Sequence, residues 1–77
     1  MALTSENRID IIQHVATLRE YKDGSTLELN KVQQGQYPEK WDIRRWHPDE
    51  DGTKRPGRGV FLSDYELEEL KAVLMEQ

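Results

Sequence analysis

Apolar and polar residues follow one another in short blocks along this chain, and turn-forming residues separate the blocks. Residues 9–18 are rich in β-branched apolar residues, and residues 26–32 alternate between apolar and polar positions. Between them stands Asp23-Gly24, a pair typical of tight hairpins in which a residue takes positive φ. Glycine and proline at 34–38 make a second break. These blocks predict two antiparallel strands joined by a hairpin.

The first block also carries a helical signal, because its apolar residues include positions 9, 12, 15 and 16. Thr4 or Ser5 would serve as the N-cap of such a helix. The density of β-branched residues and the hairpin signal that follows favour a strand instead. We therefore predict a strand here, preceded by flexible residues 1–7.

The third block, residues 41–46, places two kinds of side chain on opposite faces if it is extended. Arg44 and Trp46 share one face of the strand, and Trp41 and Ile43 share the other. We assign Trp41 and Ile43 to the core beneath a helix. Arg44 and Trp46 are then expected to be exposed.

A longer interruption separates the third block from the fourth. Residues 47–58 are rich in proline, aspartate and glycine, a composition that predicts a loop. Residues 59–62 then form a short apolar strand. The predicted sheet therefore covers residues 9–62.

The end of the chain carries the clearest local signal. Ser63 and Glu66 have the spacing of a capping box, in which each side chain bonds the backbone of the other residue. Behind it, one stripe of apolar residues recurs at helical spacing, namely Leu67, Leu70, Val73 and Leu74. This predicts an amphipathic helix over 63–76, packed on an apolar surface. The predicted fold is α+β, a four-stranded curved antiparallel sheet followed by one C-terminal helix.

Size and composition limit what such a domain does. The chain has 77 residues, 35% of them apolar and 34% charged, with no cysteine, and its mean hydropathy is -0.91. A chain this short buries only about 60–65% of the surface that it exposes when unfolded, which leaves too few apolar residues for both a core and a deep substrate cavity. We therefore expect one domain over 1–77, stabilised as a homodimer, and no enzyme.

Membrane and metal sites are not expected either. No apolar run approaches the ~18 residues that a membrane span needs, and the first residues lack the regions of a signal peptide, so we expect a cytoplasmic protein. The sequence after His47 lacks the spacing of a calcium loop, and neither cysteine nor a second nearby histidine completes a zinc site. We expect no cofactor and no metal.

Charge is distributed unevenly along the chain. The formal net charge of -4 argues against a nucleic-acid ligand when it is read as an average. All of the excess acid lies in residues 63–77, whereas residues 40–58 carry six basic and four acidic residues, a net +2. A local basic surface is therefore compatible with the acidic total, because phosphate contacts depend on the field near the strand.

The third block and the residues after it resemble a known family. The resemblance rests on Trp41-Asp42-Ile43-Arg44-Arg45-Trp46, Pro48-Asp49, Lys54-Arg55-Pro56-Gly57-Arg58-Gly59 and Leu62-Ser63, with Lys22-Asp23-Gly24 and Glu28-Leu29-Asn30 before them. In this order they look like the positive cofactor four family of single-stranded-DNA-binding transcriptional coactivators, and more closely its small bacterial YdbC-like branch. The match runs from about residue 9 to the end.

This resemblance implies a ββββα protomer, a homodimer built partly through the helices, and single-stranded DNA across the concave sheet surfaces. It implies a dimer interface at Leu67, Leu70, Val73 and Leu74. Two features depart from the eukaryotic coactivator, whose motif has a second basic residue where this chain continues from Arg58 directly to Gly59, and whose basic, serine-rich N-terminal tail is absent here. These departures predict weaker binding and no tail-dependent activation.

Single-strand binding without sequence preference needs cations for the phosphates and flat aromatic faces for the bases. Arg44 and Trp46 supply one of each. Further phosphate contacts are expected in the predicted loop and at the hairpin, in the order Arg58, Arg55, Lys54, Lys31 and Lys22, with Asn30 as a donor to a base or phosphate. Arg58 comes first because it matches the family motif.

Other interpretations of the same residues remain open. Trp46 covers a sheet edge and Arg44 pairs with Asp42 in a purely structural interpretation, and the loop cations are then solvated. The protein is alternatively an interaction module whose acidic helix or sheet edge docks the transcription machinery. A third possibility is that the single-stranded ligand is RNA.

Overall fold

The chain forms one antiparallel sheet followed by a helix. A computed structural model describes residues 8–77. Its elements are β1 (Ile9–Glu20), β2 (Thr26–Gln34), β3 (Lys40–Pro48), β4 (Lys54–Leu62) and α1 (Asp64–Met75), and the strands lie in the order β1-β2-β3-β4. The predicted ββββα fold is confirmed. Residues 1–7, predicted to be flexible, lie outside the described residues, as do the two proposed caps in that segment.

β1 departs from regular pairing at three places spaced three residues apart. Its register with β2 shifts between residues 11 and 13, between 14 and 16, and between 17 and 19. Each shift leaves one extra residue on β1, which is a β-bulge, and the extra residues are Ile12, Val15 and Leu18. The helical signal in the sequence therefore has another origin, because a strand bulged every third residue repeats its apolar side chains at nearly the period of a helix.

The β1–β2 connection is the turn predicted at Asp23-Gly24. The amide of Tyr21 donates to the carbonyl of Ser25 at 2.8 Å, and Gly24 has a φ of 90°. The amide and hydroxyl of Ser25 both donate to Asp23 Oδ1, at 2.9 and 2.6 Å. Asp23 thus closes the turn through its side chain while Gly24 takes the left-handed backbone conformation.

The fourth strand is longer than predicted, so the loop predicted at 47–58 is wrong. β3 continues to Pro48 and β4 begins at Lys54, and only residues 49–53 connect them. The cross-strand pairs Pro48–Lys54, His47–Arg55 and Trp46–Pro56 extend the sheet through the segment. Its proline misled the prediction, because β4 is an edge strand, where a residue without an amide hydrogen is tolerated.

The sheet has two faces of different character. What we call the polar face carries Thr26, Glu28, Asn30, Val32, Asp42, Arg44, Trp46, Lys54, Phe61 and His14. What we call the apolar face carries Leu27, Leu29, Trp41, Ile43, Val60, Leu62 and Ala16, with Lys31 and Arg45 among them. Residues on the polar face of β2 and β3 are the buried ones, and those on the apolar face are half-buried or exposed. This distribution is the reverse of an ordinary soluble sheet.

The helix starts as predicted but does not cover the sheet. Ser63 Oγ accepts from the amide of Glu66 at 3.1 Å, and Glu66 Oε1 accepts from the amide of Ser63 at 2.8 Å, so the capping box is confirmed. No residue of α1 is buried. The predicted core of Trp41 and Ile43 beneath the helix is therefore wrong for the protomer, and Trp41 Nε1 instead donates to Asp64 at 2.6 Å. Within residues 8–77, no helix has the length and apolar character to cross a bilayer.

Candidate nucleic-acid interface

Arg44 lies in the middle of the polar face, and each of its three guanidinium nitrogens contacts an acceptor oxygen. Its Nε donates to Asp42 Oδ1 and Oδ2 at 3.1 and 3.0 Å, its Nη2 lies 2.9 Å from Oδ1, and its Nη1 donates to the carbonyl of Gly57 at 2.8 Å. The guanidinium also stands 4.9 Å from the ring centre of Phe61. Only 8% of Arg44 is exposed, so the prediction that it is exposed is wrong.

Burial is the largest influence on the pKa of the carboxylate beside Arg44. Asp42 is completely buried, and this burial raises its pKa above the ordinary value, while the hydrogen bond and the charge of Arg44 pull it down. Burial has the larger effect, so the pKa of Asp42 is raised. The pair therefore holds the sheet together at a desolvation cost and offers no free cation to a phosphate.

Two glycines of β4 allow the chain to pass close to Arg44. A Cβ on Gly59 would lie 2.5 Å from Arg44 Cβ and 2.6 Å from the carbonyl oxygen of Ile43. A Cβ on Gly57 would lie 2.7 Å from Nε2 of His47. Glycine at position 59 is thus required by close packing of β4 on β3, whereas the atoms nearest to position 57 belong to the side chain of His47.

Trp46 is an aromatic side chain buried on the polar face. It is 3% exposed, and its Nε1 has no hydrogen-bond acceptor within residues 8–77. The prediction of an exposed stacking platform is therefore wrong for the protomer. The physical reason is that side chains of β2 and β4 meet across β3 on this face and close over it.

Glu28 is the centre of that closure. Its carboxylate accepts hydrogen bonds from Lys54 Nζ at 2.6 Å, from Asn30 Nδ2 at 3.1 Å and from the hydroxyl of Thr26. Nδ1 of His14 lies 3.5 Å away. Burial raises the pKa of Glu28 more than any other single influence, but the bonds from Lys54, Thr26 and Asn30 and the charge of Lys54 together outweigh it and lower the pKa to about 2. Glu28 is thus ionised at neutral pH.

Asn30 belongs to the same network. It is fully buried, and its Oδ1 accepts from Nδ1 of His14 at 2.6 Å while its Nδ2 donates to Glu28. The exposure that contact with a base or phosphate requires is absent, because neighbouring polar side chains surround the amide. Asn30 positions Glu28 instead.

The other predicted cations lie at the surface, where the structure pairs some and leaves others unpaired. Lys31 lies 3.7 Å from Glu39 and 5.1 Å from the ring centre of Trp41, and Arg55 Nε lies 3.2 Å from Asp49. Lys22 and Arg58 are exposed, and neither has an acidic side chain within 4 Å in the described part of the chain. Of the predicted contacts, Lys22 and Arg58 have the charge most available to a phosphate.

Sequence reasoning missed a group of residues near the β1–β2 turn. The ring of Tyr21 has the guanidinium of Arg45 at 3.8 Å and that of Arg19 at 4.8 Å from its centre. Arg45 also donates to the hydroxyl of Ser25 at 2.9 Å. The i, i+2 spacing of Arg19, near the end of β1, and Tyr21, just after it, was a usable signal, but the approach of Arg45 depends on the register of three strands.

Lys40 was also missed, and its ammonium stands 5.5 Å from the centre of the Phe61 ring that Arg44 also approaches. Among residues 8–77, five cationic groups thus lie over the rings of Tyr21, Trp41 and Phe61. Basic and aromatic groups therefore lie close together at several places on this small sheet.

The described residues contain no cluster of three or more histidine, cysteine, aspartate or glutamate side chains arranged to hold a metal ion.

Comparison with known proteins identifies a relative of this chain. No protein-family model matches the chain, and no solved structure matches it. A protein of Treponema pallidum (strain Nichols), described as an uncharacterized protein, is 34% identical over 65 residues, which cover 84% of this chain and 73% of the relative. The chain belongs to the same family as this treponemal protein.

Proposed function

We propose that this protein binds single-stranded nucleic acid, preferentially DNA, with little sequence preference. The observation that carries the proposal is the concentration of cationic groups other than Arg44 on the rings of Tyr21, Trp41 and Phe61. A single strand offers phosphates to cations and unpaired bases to ring faces, and a sheet with both kinds of group within a few ångströms suits every nucleotide alike. No base-edge reading is needed for such binding.

The distribution of charge supports the same ligand. The acidic excess lies in residues 63–77, whereas Lys22 and Arg58, exposed and unpaired within residues 8–77, lie at the β1–β2 turn and in β4. A strand on the sheet therefore meets cations and stays away from the acidic helix. The same acidity makes α1 unsuited to the major groove of a duplex.

A homodimer is part of the proposal, because the protomer has almost no apolar core. Val32 and Trp46 are its only buried hydrophobic residues between 8 and 77, while eleven large apolar or aromatic side chains are exposed. Burying one such side chain stabilises a fold by roughly 1.5–3 kcal/mol. A second copy is the partner that covers these surfaces in both molecules at once.

Two exposed stripes define where the second copy fits. One lies on α1 and consists of Leu67, Leu70, Val73 and Leu74, of which the last three are 37%, 55% and 60% exposed. The other consists of the bulged residues Ile12, Val15 and Leu18 of β1. In a bulge the extra residue and its neighbour oppose one residue of the adjacent strand, which places Val15 opposite Leu29 and extends the apolar face. The bulges also disfavour pairing of two β1 edges, so the copies meet through faces.

The resemblance of the sequence to the positive cofactor four family supports this dimer and this ligand. The biological role that follows is regulation of transcription or protection of transient single strands. An interaction module that docks the transcription machinery is the rival, favoured by the exposed stripe of α1.

A binding comparison tests the proposal. Oligo-dT, the matching oligo-U and a duplex of equal length are titrated with the protein at one ionic strength, and binding is followed by fluorescence anisotropy. We expect oligo-dT to bind most tightly and the duplex most weakly. Equal binding of the three ligands, or none, would reject the proposal, and preference for oligo-U would reassign the ligand to RNA.

A further inference from the structure

The ion pair between Lys54 and Glu28 spans the strand that carries Trp46. Lys54 lies on β4 and Glu28 on β2, and β3 runs between them. On β3, Trp46 is paired with Thr26 of β2 on one side and with Pro56 of β4 on the other. Nζ of Lys54 nevertheless reaches Glu28 Oε2 at 2.6 Å, so its side chain crosses the polar face at the level of Trp46.

The indole beneath this crossing is in an unfavourable state. Trp46 is buried, and its Nε1 hydrogen has no acceptor in the described part of the chain. A buried donor without an acceptor costs free energy relative to the same donor in water or on a ligand. The closed arrangement therefore holds an aromatic ring and a polar hydrogen that a ligand would satisfy.

We propose that Trp46, Lys54 and Glu28 form a closed subsite for one nucleotide, in which a phosphate replaces Glu28 on the ammonium of Lys54 and a base stacks on the uncovered indole. This inference rests on the proposed function and assigns Glu28 a role that its charge alone would not suggest. Glu28 is an internal competitor of the phosphate.

Replacement of Glu28 by a phosphate requires that Lys54 moves while Glu28 keeps its other hydrogen bonds, and the two side chains differ in this way. The side chain of Lys54 is 51% exposed, and its four-carbon stem lets the ammonium move to a new anion without disturbing the strand. Glu28 stays behind with its bonds to Thr26 and Asn30. The carboxylate therefore remains satisfied when Lys54 leaves.

Release of Lys54 from Glu28 opens the subsite and uncovers Trp46, which explains how a buried tryptophan takes part in binding. A site that is open for only part of the time has an apparent affinity reduced by that fraction. Removing the charge of Glu28 shifts the equilibrium toward the open form, whereas removing the ammonium of Lys54 opens the site and deletes its phosphate contact. The two variants are therefore expected to expose Trp46 alike and to change DNA affinity in opposite directions.

The test uses Trp41→Phe as the background, so that Trp46 alone reports. Acrylamide quenching without DNA is expected to increase about twofold in both Glu28→Gln and Lys54→Met, because both variants release the crossing over Trp46. Oligo-dT is expected to bind Glu28→Gln about fivefold more tightly, and Lys54→Met several-fold more weakly, than the background. Glu39→Gln, which removes the same charge from the pair with Lys31, is the matched control and should leave the quenching unchanged.

Different failures point to different parts of the proposal. If the background protein binds oligo-dT but Glu28→Gln alters neither quenching nor affinity beyond the Glu39→Gln control, the subsite is overturned and the binding function stands. If the wild-type protein binds no oligo-dT at low salt, the proposed function fails and the nucleotide subsite fails with it. If Glu28→Gln does not fold, Lys54→Met decides, and unchanged quenching in that variant overturns the closed subsite.

Discussion

Nζ of Lys54 and Oε2 of Glu28 lie 2.6 Å apart, although the two residues belong to strands separated by β3. This ion pair joins β2 to β4 above the polar face. Its carboxylate is buried and also accepts hydrogen bonds from Thr26 and Asn30, and the pair spans the strand that carries the buried Trp46. Both the stability and the proposed binding of the sheet depend on it.

The acid dependence of stability follows from the carboxylate of this pair. The pKa of Glu28 is lowered from 4.5 to about 2, so its ionised form stabilises the fold above pH 4.5, and that contribution is lost as the pH falls through about 2. A shift of this size corresponds to about 3 kcal/mol. Urea unfolding between pH 7 and pH 2 should show the loss in the wild type and lack it in Glu28→Gln.

The wild type is compared with Glu28→Gln because the pKa of Asp42 is shifted as well. Its pKa is raised by burial, so it takes up a proton at higher pH in the folded than in the unfolded chain and opposes the effect of Glu28. Asp42 is present in both proteins, and the difference between them isolates Glu28. Parallel pH curves for the two proteins would contradict the ionised network.

Arg58 is expected to contact phosphate because it is exposed and lacks an acidic neighbour among the described residues. Arg58→Ala should weaken oligo-dT binding by about threefold to tenfold and reduce the slope of log K against log salt by about 1. Lys71→Ala is the matched control, since it removes the same charge from the acidic helix, where Lys71 lies 3.4 Å from Glu68. Equal effects of both substitutions would mean that only net charge matters.

Gly59 is expected to be intolerant of any side chain. The added Cβ would lie 2.5 Å from Arg44 Cβ, and overpacking of this kind costs about 1–3 kcal/mol. Gly52→Ala is the control, because Gly52 has a φ of 88° but nothing within 4 Å of an added Cβ; its cost of about 1 kcal/mol comes from backbone strain alone. Thermal unfolding should rank Gly59→Ala as the less stable variant, and the reverse order would contradict the close approach of β4.

Dimer formation is tested on the exposed stripe of α1. Leu70→Asp should yield a monomer or an unfolded chain, because the carboxylate would enter the apolar contact between copies. Lys71→Asp places the same side chain one residue further along, outside the stripe, and should leave the dimer intact. Light scattering reports the mass of each protein. A stable, folded wild-type monomer would contradict the proposed dimer.

Local signals in the sequence were sufficient to predict most of the fold. The turn at Asp23-Gly24 and the capping box of Ser63 and Glu66 depend on neighbouring residues only, and both are present. The start of β4 was missed because proline and glycine normally end a strand. Pairing with β3 overrides that preference, and this pairing is a property of the assembled sheet.

The candidate site was less predictable, because its burial comes from contacts between distant strands. Alternation correctly places Arg44 and Trp46 on one face, but it says nothing about which face is closed. The approach of Lys54 to Glu28, 26 residues apart in the chain, decides that. The bulges of β1 were not predicted either, because apolar residues three positions apart also fit a helix.

A salt titration of labelled oligo-dT tests single-strand binding most directly. Anisotropy is measured with the wild-type protein from low to high salt, with a duplex of the same length as the reference. Binding is expected at low salt and should weaken linearly in log salt, with a slope that reflects several displaced counterions. No change in anisotropy at low salt, at protein concentrations where the dimer is intact, would contradict single-strand binding.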